Sequence, residues 1–297
     1  MATGRLTLPA ALIVSLTLWA MHLDSHYALI GMAICYISAY LLYGLDSAFG
    51  IIKVRSYLAP AFFMLLYTAS SSLEDFSNIN IVIPSLYIVS LFYIIKGYES
   101  RNPPADIFNG FLCSGLGCIT DNHLLLVIPV LFLCMIQLRS MSVRGILAAI
   151  LGFMSIFWII SGYLIFMNRS EELIVMTKNF LQIEWFNYNS ISINQWVCTG
   201  VLFFIFAFSG FLARRLSLND KVKTRSIIKS LNITGSYLFA VIILIPSAGT
   251  ILIPILMLIS SILYSYTMTI LYNRFTLILM ISSLLMILGI AGLNIIY

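Results

Sequence analysis

The chain has 297 residues, of which 61% are hydrophobic and 9% charged, with a net charge of +5 and a mean hydropathy of +1.03. A soluble domain carries roughly a quarter of its residues as charges, so water is excluded as the solvent for most of this surface. The small positive balance requires no nucleic-acid partner, because a bias of Lys and Arg toward one side of a membrane accounts for it.

A bilayer core about 30 Å thick takes roughly 20 apolar residues per helix. The apolar runs predict about eleven spans, near residues 6–21, 27–44, 57–70, 79–96, 107–121, 123–138, 145–167, 195–213, 230–248, 250–272 and 276–296. The runs are continuous rather than alternating, which excludes a β-barrel, the only other structure that satisfies its backbone in lipid. The expected fold is all-α, a polytopic transmembrane helix bundle forming a single transmembrane domain over residues 1–297.

The first run, Leu6 to Met21, follows Arg5 and has no small-x-small cleavage pattern after it, so it reads as a span rather than a signal peptide. Three polar turns then stand out along the chain. His22, Asp24 and His26 follow the first span, Glu74 and Asp75 the third, and Asp121, Asn122 and His123 the fifth. The fifth run contains Gly110, Gly115 and Gly117. Small residues let helices approach closely in lipid, and a re-entrant hairpin is the alternative there.

Beyond the seventh run, the stretch from Asn168 to Gln195 interleaves Leu173, Ile174, Phe180, Trp185 and Phe186 with Lys178, Gln182 and Glu184. That mixture predicts a segment lying on the membrane surface, either a simple seal or a cover over a lipid or glycan site. Between the eighth and ninth runs, Arg214 to Lys229 holds six basic residues and one acid, Asp220. It reads as a topology determinant, with anionic headgroup binding as the functional alternative.

Orientation follows from the charges, since cytoplasmic loops retain Lys and Arg. An N-terminus inside puts 14 of the 16 basic residues in the cytoplasm, leaving only Arg169 and Lys178 outside. Seven of the eleven acids then lie outside: Asp24, Glu74, Asp75, Asp121, Glu171, Glu172 and Glu184. Eleven spans place the C-terminus outside. Removing one helix would invert every later loop and destroy this segregation.

Cys35, Cys113, Cys118, Cys134 and Cys198 all fall in apolar runs, where a thiol behaves as a small hydrophobe. Their spacing matches no zinc pattern. His22 and His26 are four apart with Asp24 between them, but three histidines are too few for the membrane iron oxygenases. The cytoplasmic loops contain no phosphate-binding Gly-rich loop, Ser-His-Asp order or zincin motif. Ionisable residues deep within spans, the usual mark of ion-coupled transport, are also nearly absent.

Outer-face carboxylates suit general-base chemistry or divalent-cation binding, although turns are also where solvated charges belong. The stretch Asp106 to Phe166, with Phe108, Gly110, Gly115, Leu116, Arg139, Arg144 and Gly152 as landmarks, resembles an uncharacterised family of multi-pass inner-membrane proteins from Bacteroidetes. The same helix-turn-helix pattern is similar to C-type integral-membrane glycosyltransferases, which transfer sugars from polyprenyl-phosphate carriers. That resemblance implies a bacterial cytoplasmic-membrane location and a polyprenyl-phosphate-linked sugar as substrate. It implies Asp24 as the catalytic base, and Glu74 or Asp75 as the acid that holds Mg²⁺ or orients the carrier. Asp121 and His123 would bind substrate, with His123 on the phosphate. The loop from His22 to His26 is shorter than in those enzymes, and no large outer domain follows. The expected function is thus a glycosyltransferase-like protein of envelope glycan or lipid biogenesis. Its rivals are a non-catalytic scaffold with protein partners in the envelope or a secretion complex, and a lipid or small-molecule transporter, which would need a polar pathway through the bundle.

Overall fold

The computed structural model describes residues 7–20, 26–52, 56–70, 79–98, 100, 102–169, 171, 186, 188, 192–271 and 274–296. Among these the regular structure is helical throughout. Eleven α-helices follow one another: α1 (Thr7–Ala20), α2 (His26–Phe49), α3 (Leu58–Ala69), α4 (Ile83–Lys96), α5 (Pro103–Thr120), α6 (Ile128–Gln137), α7 (Val143–Phe166), α8 (Ile193–Ser217), α9 (Val222–Leu244), α10 (Gly249–Ile270) and α11 (Arg274–Ile296). Short 3-10 turns at Ile79–Val82, Asn122–Val127 and Pro246–Ala248 lead into α4, α6 and α10.

Five segments among the described residues are long and apolar enough to cross a membrane: Leu29–Phe49, Val143–Phe166, Ile193–Ser217, Val222–Leu244 and Pro246–Ile270. Several others are apolar but short. The 12 residues of α3 reach only about 18 Å at 1.5 Å per residue. Several expected boundaries move, two of them for evident reasons. Pro103 and Pro104 start α5 four residues early, because proline suits the first helical turn, where its missing N–H has no intrahelical partner. The segment from there to Thr120 is one uninterrupted helix. The basic stretch expected as a loop is largely helical, since α8 runs to Ser217 and α9 begins at Val222. Lys and Arg favour helix and extend their charges away from apolar surface, so the spans lengthen without burying them.

The bundle is organised around α10. Every residue from Ile251 to Met268 is buried, as expected of a helix that is apolar on all sides. It packs against α3, α4, α8 and α9. Phe62 of α3 stacks on Tyr264 of α10 with ring centroids 4.1 Å apart. The Tyr264 hydroxyl lies 2.7 Å from Ser283 Oγ, tying α11 to the same centre. Helices α1 and α2 pack on α3, and α6 packs on α9. On the other flank α4, α5 and α7 lie in series, and α7 presents Leu147, Leu151, Trp158 and Ile159 outward.

The turns gather at two ends. At one, Asp46 of α2 accepts from the Ile52 backbone N–H at 3.0 Å, Lys223 of α9 lies over the Phe49 ring, and the Tyr266 hydroxyl donates to Asp220 at 2.6 Å. The turns after α2, α8 and α10 therefore adjoin. At the other end, the turn after α5 meets the turn after α9, and Phe186, between α7 and α8, donates its backbone N–H to Leu244 at 3.1 Å.

Glycine sets the closest helix approach. A Cβ at Gly152 of α7 would overlap the Phe108 carbonyl oxygen of α5, and one at Gly115 of α5 would stand 3.1 Å from the Phe153 carbonyl oxygen of α7. This mutual notch brings the two backbones together, as small residues do in lipid. Gly162, on the same helix, has open space around it. Gly152→Ala should therefore destabilise the protein by about 2 kcal/mol through overpacking, whereas Gly162→Ala should leave it unchanged or stabilise it by up to about 1 kcal/mol through helix propensity. Thermal unfolding of the two purified variants in one detergent checks the contrast.

Candidate functional site

Helix α5 ends at Thr120, and Asp121 takes an extended conformation with φ −152° and ψ 132°. That turn releases the Asp121 side chain to cap the following 3-10 turn. Its Oδ1 accepts the His123 backbone N–H at 2.9 Å and lies 2.8 Å from His123 Nδ1. On the far side of the imidazole, Nε2 lies 3.3 Å from Ser247 Oγ. Three side chains from two distant turns are thus in line: carboxylate, imidazole, hydroxyl.

Pro246 explains how Ser247 reaches this position. Helix α9 ends at Leu244, Ile245 adopts φ −130° and ψ 79°, and Pro246 opens a short 3-10 turn before α10. A proline disfavours helical conformation at the residue before it and has no N–H to continue the ladder. The break turns Ser247 sideways from the two helix axes toward the start of α6. Contacts between the Asn122–Val127 turn and α10 hold the two breaks together.

Hydrogen-bond chemistry assigns the protons. A carboxylate only accepts, so the short contact to Nδ1 places the imidazole proton there. In the neutral form of such a ring the lone pair lies on Nε2, facing the serine hydroxyl, which can donate to it. This is the division of roles seen wherever a histidine activates a hydroxyl: acid on Nδ1, hydroxyl on Nε2. The Asp121 and His123 side chains retain 21% and 24% of their exposure, so the site is open at one edge. Ser247 is half-buried.

Two described residues between α7 and α8, Phe186 and Tyr188, touch the site's margin. Besides the Phe186 bond to Leu244, the Tyr188 hydroxyl donates to the Ile243 carbonyl at 3.2 Å, and Tyr188 stacks on Trp196 at the start of α8. Both contacts fall on the last turn of α9, just before Pro246. Ile243 and Leu244 themselves keep their side chains exposed.

Of the expected site residues, Asp121 and His123 are brought together, and they meet Ser247. Asp24, Glu74 and Asp75 lie outside the described residues, as do His22 and the His26 side chain. Among the described residues, no three His, Cys, Asp or Glu side chains converge as a metal set. No Ser-His-Asp order is visible along the chain, because Ser247 and His123 come from turns 124 positions apart. Ser247 escaped notice because its turn carries no charge. A signal existed: Pro-Ser between two long apolar runs, in a turn that span parity assigns to the same side as Asp121.

Several hydroxyls inside the bundle bond within their own helix. Ser230 and Thr234 of α9, and Ser260, Ser261 and Thr267 of α10, each donate to a carbonyl three or four residues back in their own helix. Groups satisfied within their own helix are packing features rather than a polar pathway.

Replacing Asp121 tests its capping role. Asp121→Ala removes an N-cap acceptor and should cost about 1 kcal/mol, read as a lower apparent melting temperature in detergent, while Asp121→Asn should recover most of the loss. No protein family, curated protein or solved structure matches this chain.

Proposed function

We propose that the chain is a multi-pass protein of a bacterial cytoplasmic membrane, N-terminus inside and C-terminus outside, with all eleven helices embedded in the bilayer. At its outer face it transfers a group to or from a lipid-linked substrate in envelope glycan or lipid biogenesis. The alignment of Asp121, His123 and Ser247 carries this reading, because a histidine with an oriented lone pair is a general base held ready for a hydroxyl. The pairing of turns supports the topology: the turns after α5, α7 and α9 adjoin at one end, as odd-numbered spans require, and those after α2, α8 and α10 at the other.

The glycosyltransferase-like form of the reading assigns the base to Asp24, with Glu74 or Asp75 holding Mg²⁺. The described geometry favours His123 as the base instead. An imidazole whose Nε2 faces a hydroxyl accepts a proton; it has no second N–H to offer a carrier phosphate. Asp121 then serves as the positioning residue, holding the tautomer. Polyprenyl-linked sugars and membrane lipids remain the substrate classes, since the site opens where the apolar last turn of α9 meets the turn residues.

Topology is checked by impermeant maleimide labelling of single cysteines in a cysteine-free background. Arg169→Cys should label in intact cells and Asn219→Cys only after the membrane is opened; the reverse pattern would invert the assignment. Function is checked by mass spectrometry of lipid-linked glycans, surface glycans and lipids in cells with the intact gene, a deletion, or His123→Gln at matched protein levels. Loss of a general base should slow transfer at least about 100-fold, so the deletion and His123→Gln should accumulate the same precursor. Unchanged profiles in the deletion would overturn the reading and leave a non-catalytic scaffold.

A further inference from the structure

The group-transfer reading leaves open what the His123 base deprotonates, and the structure holds one hydroxyl already in place. We propose that Ser247 Oγ is a covalent nucleophile and that the transferred group is the acyl group of a lipid ester. The inference rests on the reading of His123 as a base and names the substrate class for that site.

Three observations bear on it. Ser247 Oγ stands 3.3 Å from Nε2, the ring nitrogen left without a proton when Asp121 takes up Nδ1–H. A serine that merely capped a turn would have no need of an imidazole whose other nitrogen is itself held by a carboxylate. Ser247 also lies two residues before Gly249, the first residue of α10. The positive end of that helix, 22 residues long, therefore adjoins the carbon that Oγ would attack, where negative charge develops on the carbonyl oxygen. Finally, Ile243 and Leu244 expose their side chains immediately before Ser247, at 55% and 42%. An acyl chain lying along the last turn of α9 would bring its ester to the boundary where Ser247 sits.

The step balances without any further reagent. Ser247 Oγ bonds to the ester carbonyl carbon while its proton passes to His123 Nε2. The tetrahedral oxyanion collapses, the bond from carbon to the alkoxide oxygen breaks, and that oxygen takes the proton from Nε2. The products are acyl-Ser247 and the lipid alcohol. An acceptor hydroxyl, from water or a glycan, then gives its proton to Nε2 and attacks the acyl carbon; the bond to Ser247 Oγ breaks and Oγ takes the proton back from Nε2.

The test uses full-length protein in lipid nanodiscs and an alkyl fluorophosphonate, which mimics a lipid ester and phosphonylates activated serines. Mass spectrometry should locate the adduct on Ser247, and labelling should slow at least about 100-fold in His123→Gln. Ser247→Ala should give no adduct while eluting as a single species on size exclusion, and in cells it should accumulate the same precursor as the deletion. Ser247→Cys, which restores a nucleophile, should react with an alkylating lipid analogue only when His123 is present. If Ser247 stays unlabelled and Ser247→Ala cells retain normal lipid and glycan profiles while His123→Gln cells do not, the covalent step is overturned and the base survives. If His123→Gln is also without effect, both fall together.

Discussion

The burial of α10 is the contact on which the rest of this protein depends. A helix apolar on every side has to be enclosed by other helices or lipid, and here α3, α4, α8 and α9 enclose it along its length. Its backbone is self-satisfied, apart from the bond that Pro254 cannot donate. Ser260, Ser261, Thr267 and Thr269 turn their hydroxyls onto carbonyls of the same helix, and Ser265 faces Ser56. Nothing polar is left over to demand water. The helix can therefore act as an axis against which the others register by shape, with Tyr264 as the anchor that joins α3 by stacking and α11 by a hydrogen bond.

Polar chemistry is displaced to the two ends, and each end treats it differently. At the end bearing Asp46, Asp220 and Lys223, Asp46 accepts from the nearby Ile52 backbone, Asp220 accepts from Tyr266 of α10, and Lys223 lies over the Phe49 ring. Asp106, nearly buried, is joined to Lys96 at 3.0 Å. An unpaired carboxylate there would carry a heavy desolvation cost, and the half-exposed lysine relieves it. These contacts finish helices. At the opposite end, Asp121 also finishes a helix, but its second interaction orders an imidazole toward a hydroxyl from another turn. One carboxylate oxygen both caps the turn and orders the imidazole.

Helix breaks do the positioning. Continuous helices of this composition would bury or expose their side chains in stripes and bring no three polar groups into line. The extended backbone at Asp121 and the proline at position 246 interrupt that pattern at two places, and both interruptions fall at one end of the bundle. The close approach of α5 and α7 through Gly115 and Gly152 fixes α5, and with it the place where Asp121 emerges.

Much of this was legible beforehand. Low charge and long apolar runs dictate helices, because lipid tolerates no unpaired backbone, and the described residues are helical close to the apolar runs, with five helices long enough to span. Asp121 and His123 were recognisable as a polar turn between two of them. Boundaries moved where local chemistry outweighed hydropathy, at the prolines before α5 and in the basic stretch that extends α8 and α9. Ser247 as the partner of His123 was not legible. The two residues are 124 positions apart, and which apolar helix lies beside which depends on the fit of surfaces that are chemically alike. Composition decides the solvent and therefore the helices; only packing decides which turns meet.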